Sequence, residues 1–242
     1  MYKIISLLIF ITFPFITISA QTTWNQTDSK GLKTGPWHQF HKNGKVRYTG
    51  QFKAGVPVDT FRYYSEEGTL ASILIHKKDG FSSAFIYYDN GVLKATGGYH
   101  KQMKNGLWKY YTLEKVLITE ESFKDSIKDG PWRIYFQDGK LSSESYWKMG
   151  KMDGCWKEYF PNGTIKLNCT YINDQLHGDY KSFYLNGKPI QYGKYSFGQK
   201  IGQWVSYEEN GKTSKVETYV NGQLKKEEIY TNGVKTKTVE HK

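Results

Sequence analysis

Six histidines, two cysteines and 23 carboxylates are the side chains of this 242-residue chain that could build a reaction centre, and few of them fall into a usable spacing. His38 and His41 lie close together, but no cysteine or acid stands beside them and no His-Glu-x-x-His run occurs, so a metal site lacks a donor set. There is no Gly-x-Ser-x-Gly elbow and no phosphate-cradling glycine loop. The acids show no pair recurring at a separation suited to general acid–base work. The sequence therefore predicts a chain that is not an enzyme, with no catalytic residue, no metal ligand and no cofactor. Cys155 and Cys169 are the exception. Pro161-Asn162-Gly163 reads as a three-residue hairpin loop with Phe160 facing Thr164. Counting outward from that pair sets Cys155 against Cys169, within reach of a cross-strand disulfide in an oxidising compartment. Closing that loop would stabilise by about 3 kcal/mol in the chain-entropy account. The alternative is two separate thiols in a fold that does without the bridge.

What positions these residues is a repeat. Gly130-Pro-Trp132-Arg-Ile-Tyr135-Phe-Gln-Asp138-Gly139 returns every 24 residues: Gly154-Cys-Trp156 with Tyr159 and Asn162-Gly163, and Gly202-Gln-Trp204 with Tyr207 and Asn210-Gly211. Gly178 follows the pattern with Tyr180 in place of Trp, Gly35 with Trp37 is a clear upstream copy, and Gly106 with Trp108 is half-preserved. Two degenerate copies around Phe61 and Tyr87 fill the gap, which makes eight copies over residues 35–225. A fixed period of this kind marks an array of small units, each leaning on its neighbours.

Aromatics at 17%, with 20 Tyr, and 24 Gly against 6 Pro, favour strands and tight turns over helices. Each copy carries an Asn-Gly or Asp-Gly turn and a second turn after its return strand, so the fold class expected is all-β, an elongated single-layer antiparallel meander of tandem hairpins. About sixteen strands at ~4.8 Å spacing would extend some ~75 Å. Three rows then cross the strands. Tyr64, Tyr87, Tyr111, Tyr135, Tyr159 and Tyr207 form one, a candidate binding face if it stays open. Leu70, Leu93, Leu117, Leu141 and Ile165 form a second, and Phe52, Tyr99, Phe123, Trp147, Tyr171, Tyr195 and Tyr219 a third. The signature Gly35, Trp37, Gly106, Trp108, Gly130, Trp132, Gly154, Trp156, Gly178, Gly202 and Trp204 reads as scaffold, glycine for turns and tryptophan for stacking.

Residues 1–20 read as a signal peptide: Lys3, an apolar run from Ile4 to Ile16 interrupted by Pro14, and Ile18-Ser19-Ala20 as a cleavage end. An uncleaved anchor is the alternative. Residues 21–34 then lead into the array, and 226–242 form a charged C-terminal cap or tail. Export to the periplasm, envelope or exterior follows, with no transmembrane span after signal removal. The net charge of +11 is spread through the repeats with no basic block, which fits a solvated surface or an anionic lipid or glycan, and nucleic acid is not expected outside the cytoplasm.

The units resemble MORN repeats, in the bacterial variant form, on Gly130-Pro-Trp132-Arg-Ile-Tyr135-Phe-Gln-Asp138-Gly139-Lys-Leu. That resemblance covers about residues 35–225 and implies an elongated β-sheet with a protein- or lipid-binding role and no chemistry of its own. Many proteins of that type carry an antitoxin label, so the expectations are an exported scaffold for a protein or anionic envelope polymer, or a neutraliser of an envelope or secreted toxin. This chain departs from the pattern where the second and third copies lack Trp and Glu114-Lys115 replaces Asn-Gly, which marks the upstream half as the place where the array bends or a specific surface has diverged.

Overall fold

The structure is a computed structural model and describes residues 23–242; the signal peptide expected over 1–20 lies outside them. Twenty antiparallel strands form one open sheet, with no α-helix among the described residues. In chain order they are β1 (Gln26–Thr27), β2 (Lys33–Phe40), β3 (Val46–Lys53), β4 (Val56–Tyr64), β5 (Leu70–His76), β6 (Phe81–Tyr87) and β7 (Leu93–His100). Then come β8 (Met103–Tyr111), β9 (Leu117–Lys124), β10 (Ile127–Tyr135), β11 (Leu141–Lys148), β12 (Lys151–Met152), β13 (Gly154–Tyr159) and β14 (Ile165–Ile172). The sheet ends with β15 (Gln175–Phe183), β16 (Pro189–Ser196), β17 (Gln199–Tyr207), β18 (Thr213–Val220), β19 (Gln223–Thr231) and β20 (Val234–Glu240). Within residues 226–242, expected as a charged cap or tail, the meander continues through an Asn232-Gly233 turn to β20, and β1 pairs with β2 inside the leading segment.

Two turn types alternate. The Asn-Gly loops are three residues long, as expected: Phe160 N–H donates to the Thr164 carbonyl at 2.8 Å, Gly163 N–H to the Phe160 carbonyl at 2.8 Å, and Gly163 holds φ 86°. The other turns, β5–β6 apart, have two residues, both left-handed, as at Asn221 (φ 49°) and Gly222 (φ 78°); this mirror-image turn matches the right-handed twist of the strands it joins. Ala54, Lys101 and Phe197 adopt the same conformation without being glycine, so sheet twist overrides their local preference.

The register corrects two expectations. The return strand of each Asn-Gly hairpin carries an extra residue: Tyr159 faces Ile165 but Glu158 faces Leu167, leaving Lys166 unpaired. The count therefore slips by one, Cys155 faces Thr170 and Cys169 faces Trp156. Since successive side chains point to opposite faces, the two sulfurs lie on opposite sides of the sheet and both are free thiols; the expected disulfide is not formed. The signature glycines are also not turn residues. Gly130 sits inside β10 at φ 109°, where the register jumps between the pairs Lys128–Phe123 and Trp132–Glu121. Gly106, Gly178 and Gly202 hold equivalent bulges at φ 79°, 81° and 64°. Among the long strand pairings only β5–β6 runs in unbroken register: Ser82 stands where the other copies have a left-handed residue, glycine in most and Asp59 (φ 59°) in the second.

The two faces differ. On one, the signature Trp residues interleave with the third aromatic row, because each signature glycine faces a member of that row: Gly130 opposite Trp147, Gly154 opposite Tyr171, Gly202 opposite Tyr219. Ring centroids lie 5.1 Å apart for Tyr99–Trp108, 6.0 Å for Phe123–Trp132 and for Trp132–Trp147, and 4.8 Å for Tyr195–Trp204, many of them edge-on as aromatic quadrupoles prefer. The core is a set of flat ring-on-backbone contacts rather than a thick centre. Phe61, Trp108 and Trp204 are fully buried, lying on Gly50, Gly97 and Gly193 of the preceding strand. On the other face the tyrosine and leucine rows meet as direct cross-strand partners, Tyr64–Leu70, Tyr87–Leu93, Tyr111–Leu117, Tyr135–Leu141 and Tyr159–Ile165.

Candidate functional site

The Trp face is closed by lysines that the sequence reading passed over. Lys33, Lys104, Lys128 and Lys200 each precede a signature glycine by two residues, and each lays its ammonium over the following Trp, at 4.5, 4.6, 3.8 and 4.3 Å from the ring centroid. Lys128 is also 4.0 Å from Trp147, so it sits between two indoles. The stems cover apolar surface while the charge meets the electron-rich ring faces. The signal was legible as Lys-x-Gly-x-Trp; Met152 and Leu176 take the lysine's place in two copies.

The small-residue row beneath the rings decides how flat they lie. Over Gly97, Trp108 Nε1–H donates to the Gly98 carbonyl at 3.0 Å; over Gly193, Trp204 Nε1–H donates to the Lys194 carbonyl at 3.2 Å. Where Ser145 occupies the row, Trp156 Nε1 is buried with no partner. Cys169 belongs to this row, with Trp156 on one side and Tyr180 on the other, and burial pushes its thiol up to about 11. Its role is to be small and apolar, whereas Cys155, on the opposite face, is half-buried with its Sγ donating to Asn168 Oδ1 at 3.4 Å.

The tyrosines expected to present a binding face are all half-buried, on the side away from the Trp residues. They are tied into the sheet rather than free. Tyr135 Oη donates to Glu120 Oε2 at 2.8 Å, and burial together with that bond pushes its hydroxyl up to about 12. Glu120 in turn meets Lys109 at 2.9 Å and Arg133 at 3.6 Å. Tyr207 packs on Tyr192 at 5.7 Å, and its hydroxyl is pushed up to about 12, first by burial and then by Tyr192. The carbonyls of Tyr64, Tyr111 and Tyr207 accept from His41, Tyr88 and Tyr184. Tyr87 and Tyr159 complete the row beside their leucine and isoleucine partners. This face is largely self-satisfied.

The Trp face is interrupted once in its upstream half. From Trp37 the ladder runs through Phe52 and Phe61 to His76, whose ring stands edge-on to Phe61 at 5.1 Å, and it resumes at Tyr99. In between, Ala84 stands where the neighbouring copies carry Phe61 and Trp108, Gly80 where the next copy carries its capping Lys104, and the bulge is missing. The chain absorbs that loss in a single 3-10 turn, Lys78–Gly80. A hollow of about 1090 Å³ results, spanning β4 to β7. Its floor and walls are mainly apolar, with Leu74, Ala84, Ile86, Pro57, Tyr99 and His76. Burial holds the His76 imidazole below its ordinary range, so at neutral pH this wall carries no charge. Lys77, Lys78 and Lys101 stand exposed on the lip without an ion-pair partner among the described residues, next to Asp59 and Asp79. A volume of this size suits a bound segment or small molecule. Ala84, Ile86 and Leu74 were not singled out from the sequence; the missing Trp of the third copy was the signal.

His38 and His41 do not converge on a metal site: His38 packs against Trp24 and Phe40, and no group of three or more His, Cys, Asp or Glu among the described residues is arranged to hold an ion. No helix among the described residues is long and apolar enough to cross a membrane.

A family model described as MORN repeat variant matches residues 33–54, 128–149, 152–173 and 176–196. The hollow falls in the stretch between the first and second matches. No curated protein matches the chain. Among solved structures, "Crystal Structure of TcdB2-TccC3" is similar at 12% identity with a TM-score of 0.21, covering 85% of this chain and 14% of that one. "Crystal Structure of TcdB2-TccC3-Cdc42" is similar at 11% identity with the same TM-score and coverage. The chain thus spans about a seventh of the chains it resembles in those structures.

Proposed function

Starting from a chain that is a MORN repeat protein of the variant type, we propose that it is an exported, non-enzymatic scaffold that holds a protein partner against its aromatic face at the hollow over β5 and β6. The observation that carries this reading is the contrast along one face. Elsewhere on it, the rings pack on one another across neighbouring strands and four signature Trp residues are capped by lysine stems. Over β5 and β6 the same face is hollow, with half-buried Leu74 and Ile86 beside the buried Ala84 and charged residues at the lip. Concave apolar surface with a few polar groups at its rim is the usual form of a recognition site. Rigidity supports the reading as well, since a sheet of locked hairpins presents its hollow with little ordering cost on binding.

A photo-crosslinking residue at Ser82, in the hollow, compared with one at Ser206, on the same face but far from the hollow, tests the assignment in cells. The expected outcome is a discrete protein adduct from position 82 and none from 206. Equal labelling, or none from 82, removes the hollow from the function. Export is tested by fractionation and by the mature N-terminus, expected near residue 21; an intact Met1 in the cytoplasmic fraction contradicts it.

A further inference from the structure

The geometry points to an aromatic side chain, donated by an acidic segment of the partner, as the group that fills the hollow. This rests on the reading of the sheet as a protein-binding scaffold and adds the chemistry of what is bound. The array itself supplies the template. In the complete copies a ring lies on the preceding strand, meets the next aromatic at 4.8–6.0 Å, and takes an ammonium on its face at 3.8–4.6 Å. At the third copy the flanking aromatics remain, while the ring is missing and Gly80 stands in place of its capping lysine. His76 and Tyr99 flank the gap, as neighbours of an absent ring would. Leu74 and Ile86 provide an apolar floor on either side of Ala84. Lys77, Lys78 and Lys101 supply cations at the lip, from the 3-10 turn and from the β7–β8 turn.

An incoming indole or phenol would continue the interrupted ladder and gain cation–π contact from the lip. The hollow is larger than one ring, so flanking backbone enters with it. Three lysines against Asp59 and Asp79 leave the lip net positive, which selects acidic neighbours around the aromatic anchor. Such a charge pattern acts mainly on register and association rate, while the buried ring carries most of the affinity.

The test uses the mature chain and synthetic nine-residue peptides with one central tryptophan, flanked by Asp and Glu, by Lys, or by Ser, plus an acidic control in which the tryptophan is alanine. Binding is followed by methyl NMR of Leu74, Ala84 and Ile86. The expected result is that the acidic tryptophan peptide binds at least about tenfold more tightly than its alanine control, with shifts confined to those methyls. It also exceeds the lysine-flanked peptide, and the difference collapses in high salt. Ala84→Trp should abolish binding by supplying the ring internally. Because Leu74 crowds that position, Ile86→Glu is a second block, and circular dichroism confirms that each variant is folded. Triple Lys77→Gln, Lys78→Gln, Lys101→Gln should weaken the acidic peptide and spare the serine-flanked one.

Equal affinity for the tryptophan and alanine peptides, or unchanged binding by folded Ala84→Trp and Ile86→Glu, overturns the inference. So does self-association of the free chain that these variants abolish, since the occupant is then a second copy. If the peptides fail while the crosslink at Ser82 still captures a protein, the inference is wrong and the scaffold reading stands. If both fail, the reading falls with it.

Discussion

Adding one methyl group at Gly97 should damage this sheet more than most single substitutions could. A Cβ built there lies 2.2 Å from Trp108 Cδ2 and 2.3 Å from Cε2, well inside van der Waals contact. Trp108 is 0% exposed and sits with Ala84 and Ala95 in a fully buried cluster, packed by Leu74, Ile86, Tyr99, Tyr110 and Phe123. Gly97→Ala must lift the indole off its strand. The lift breaks the 3.0 Å bond from Trp108 Nε1–H to the Gly98 carbonyl and leaves the donor as Trp156 has it over Ser145, buried and unpaired. Overpacking costs about 1–3 kcal/mol and the lost bond about 1 kcal/mol more, for a sum of roughly 2–4 kcal/mol. Gly91→Ala is the control: it has φ +80° and nothing within 4 Å, so it carries backbone strain of about 1 kcal/mol without a clash. Urea unfolding followed by tryptophan fluorescence measures both. Hydrogen exchange locates the effect, which should be concentrated in β7, β8 and β9, because a repeat array need not unfold in one step. Gly97→Ala with Trp108→Leu should cost less than the two changes added, since the smaller side chain removes the clash. If Gly97→Ala costs no more than Gly91→Ala, or protection is lost evenly along the sheet, the ring-on-glycine account is wrong.

Other expectations follow from the same geometry. Lys128→Met should cost only about 1 kcal/mol, because Met152 already holds the equivalent position in the copy with Trp156, while Lys128→Ala, which also uncovers Trp132 and Trp147, should cost more in the same urea assay. Burial works to raise the Glu120 carboxyl, but the hydrogen bonds from Lys109 and Tyr135 and the Lys109 and Arg133 charges outweigh it, leaving the group below its ordinary range. A depressed carboxylate stabilises fully above its unfolded value, about 4.3, and loses that contribution as pH falls through the folded value. The stability gap between wild type and Glu120→Gln should thus be flat above about pH 5.5 and close on acidification; a gap independent of pH contradicts the assignment. In the native protein a thiol reagent at pH 8 should label Cys155 readily and Cys169 only as fast as the sheet opens, with both thiols titrating after denaturation without reductant. A single labelled mass showing a Cys155–Cys169 bridge would contradict the register.

The sequence alone determined the period, the strand-and-turn content and the meander, because each hairpin is set by contacts close in the chain: Asn162-Gly163 closes its own loop and Trp132 finds Trp147 fifteen residues on. Even the rows could be written down, since equal spacing in sequence becomes adjacency in space when units stack. Tertiary structure decided what depends on register. One unpaired residue, Lys166, turns Cys155 and Cys169 to opposite faces, and a bulge inside the strand, not a turn, is what Gly130 serves. Those are one-residue effects that a count along the chain cannot resolve, because side chains alternate with a period of two and a single insertion reverses every face beyond it. The hollow needed the fold for a related reason. Ala84 was visible as a missing Trp, but only the sheet shows that Leu74, His76 and Tyr99, on two other strands, surround the place left by the ring.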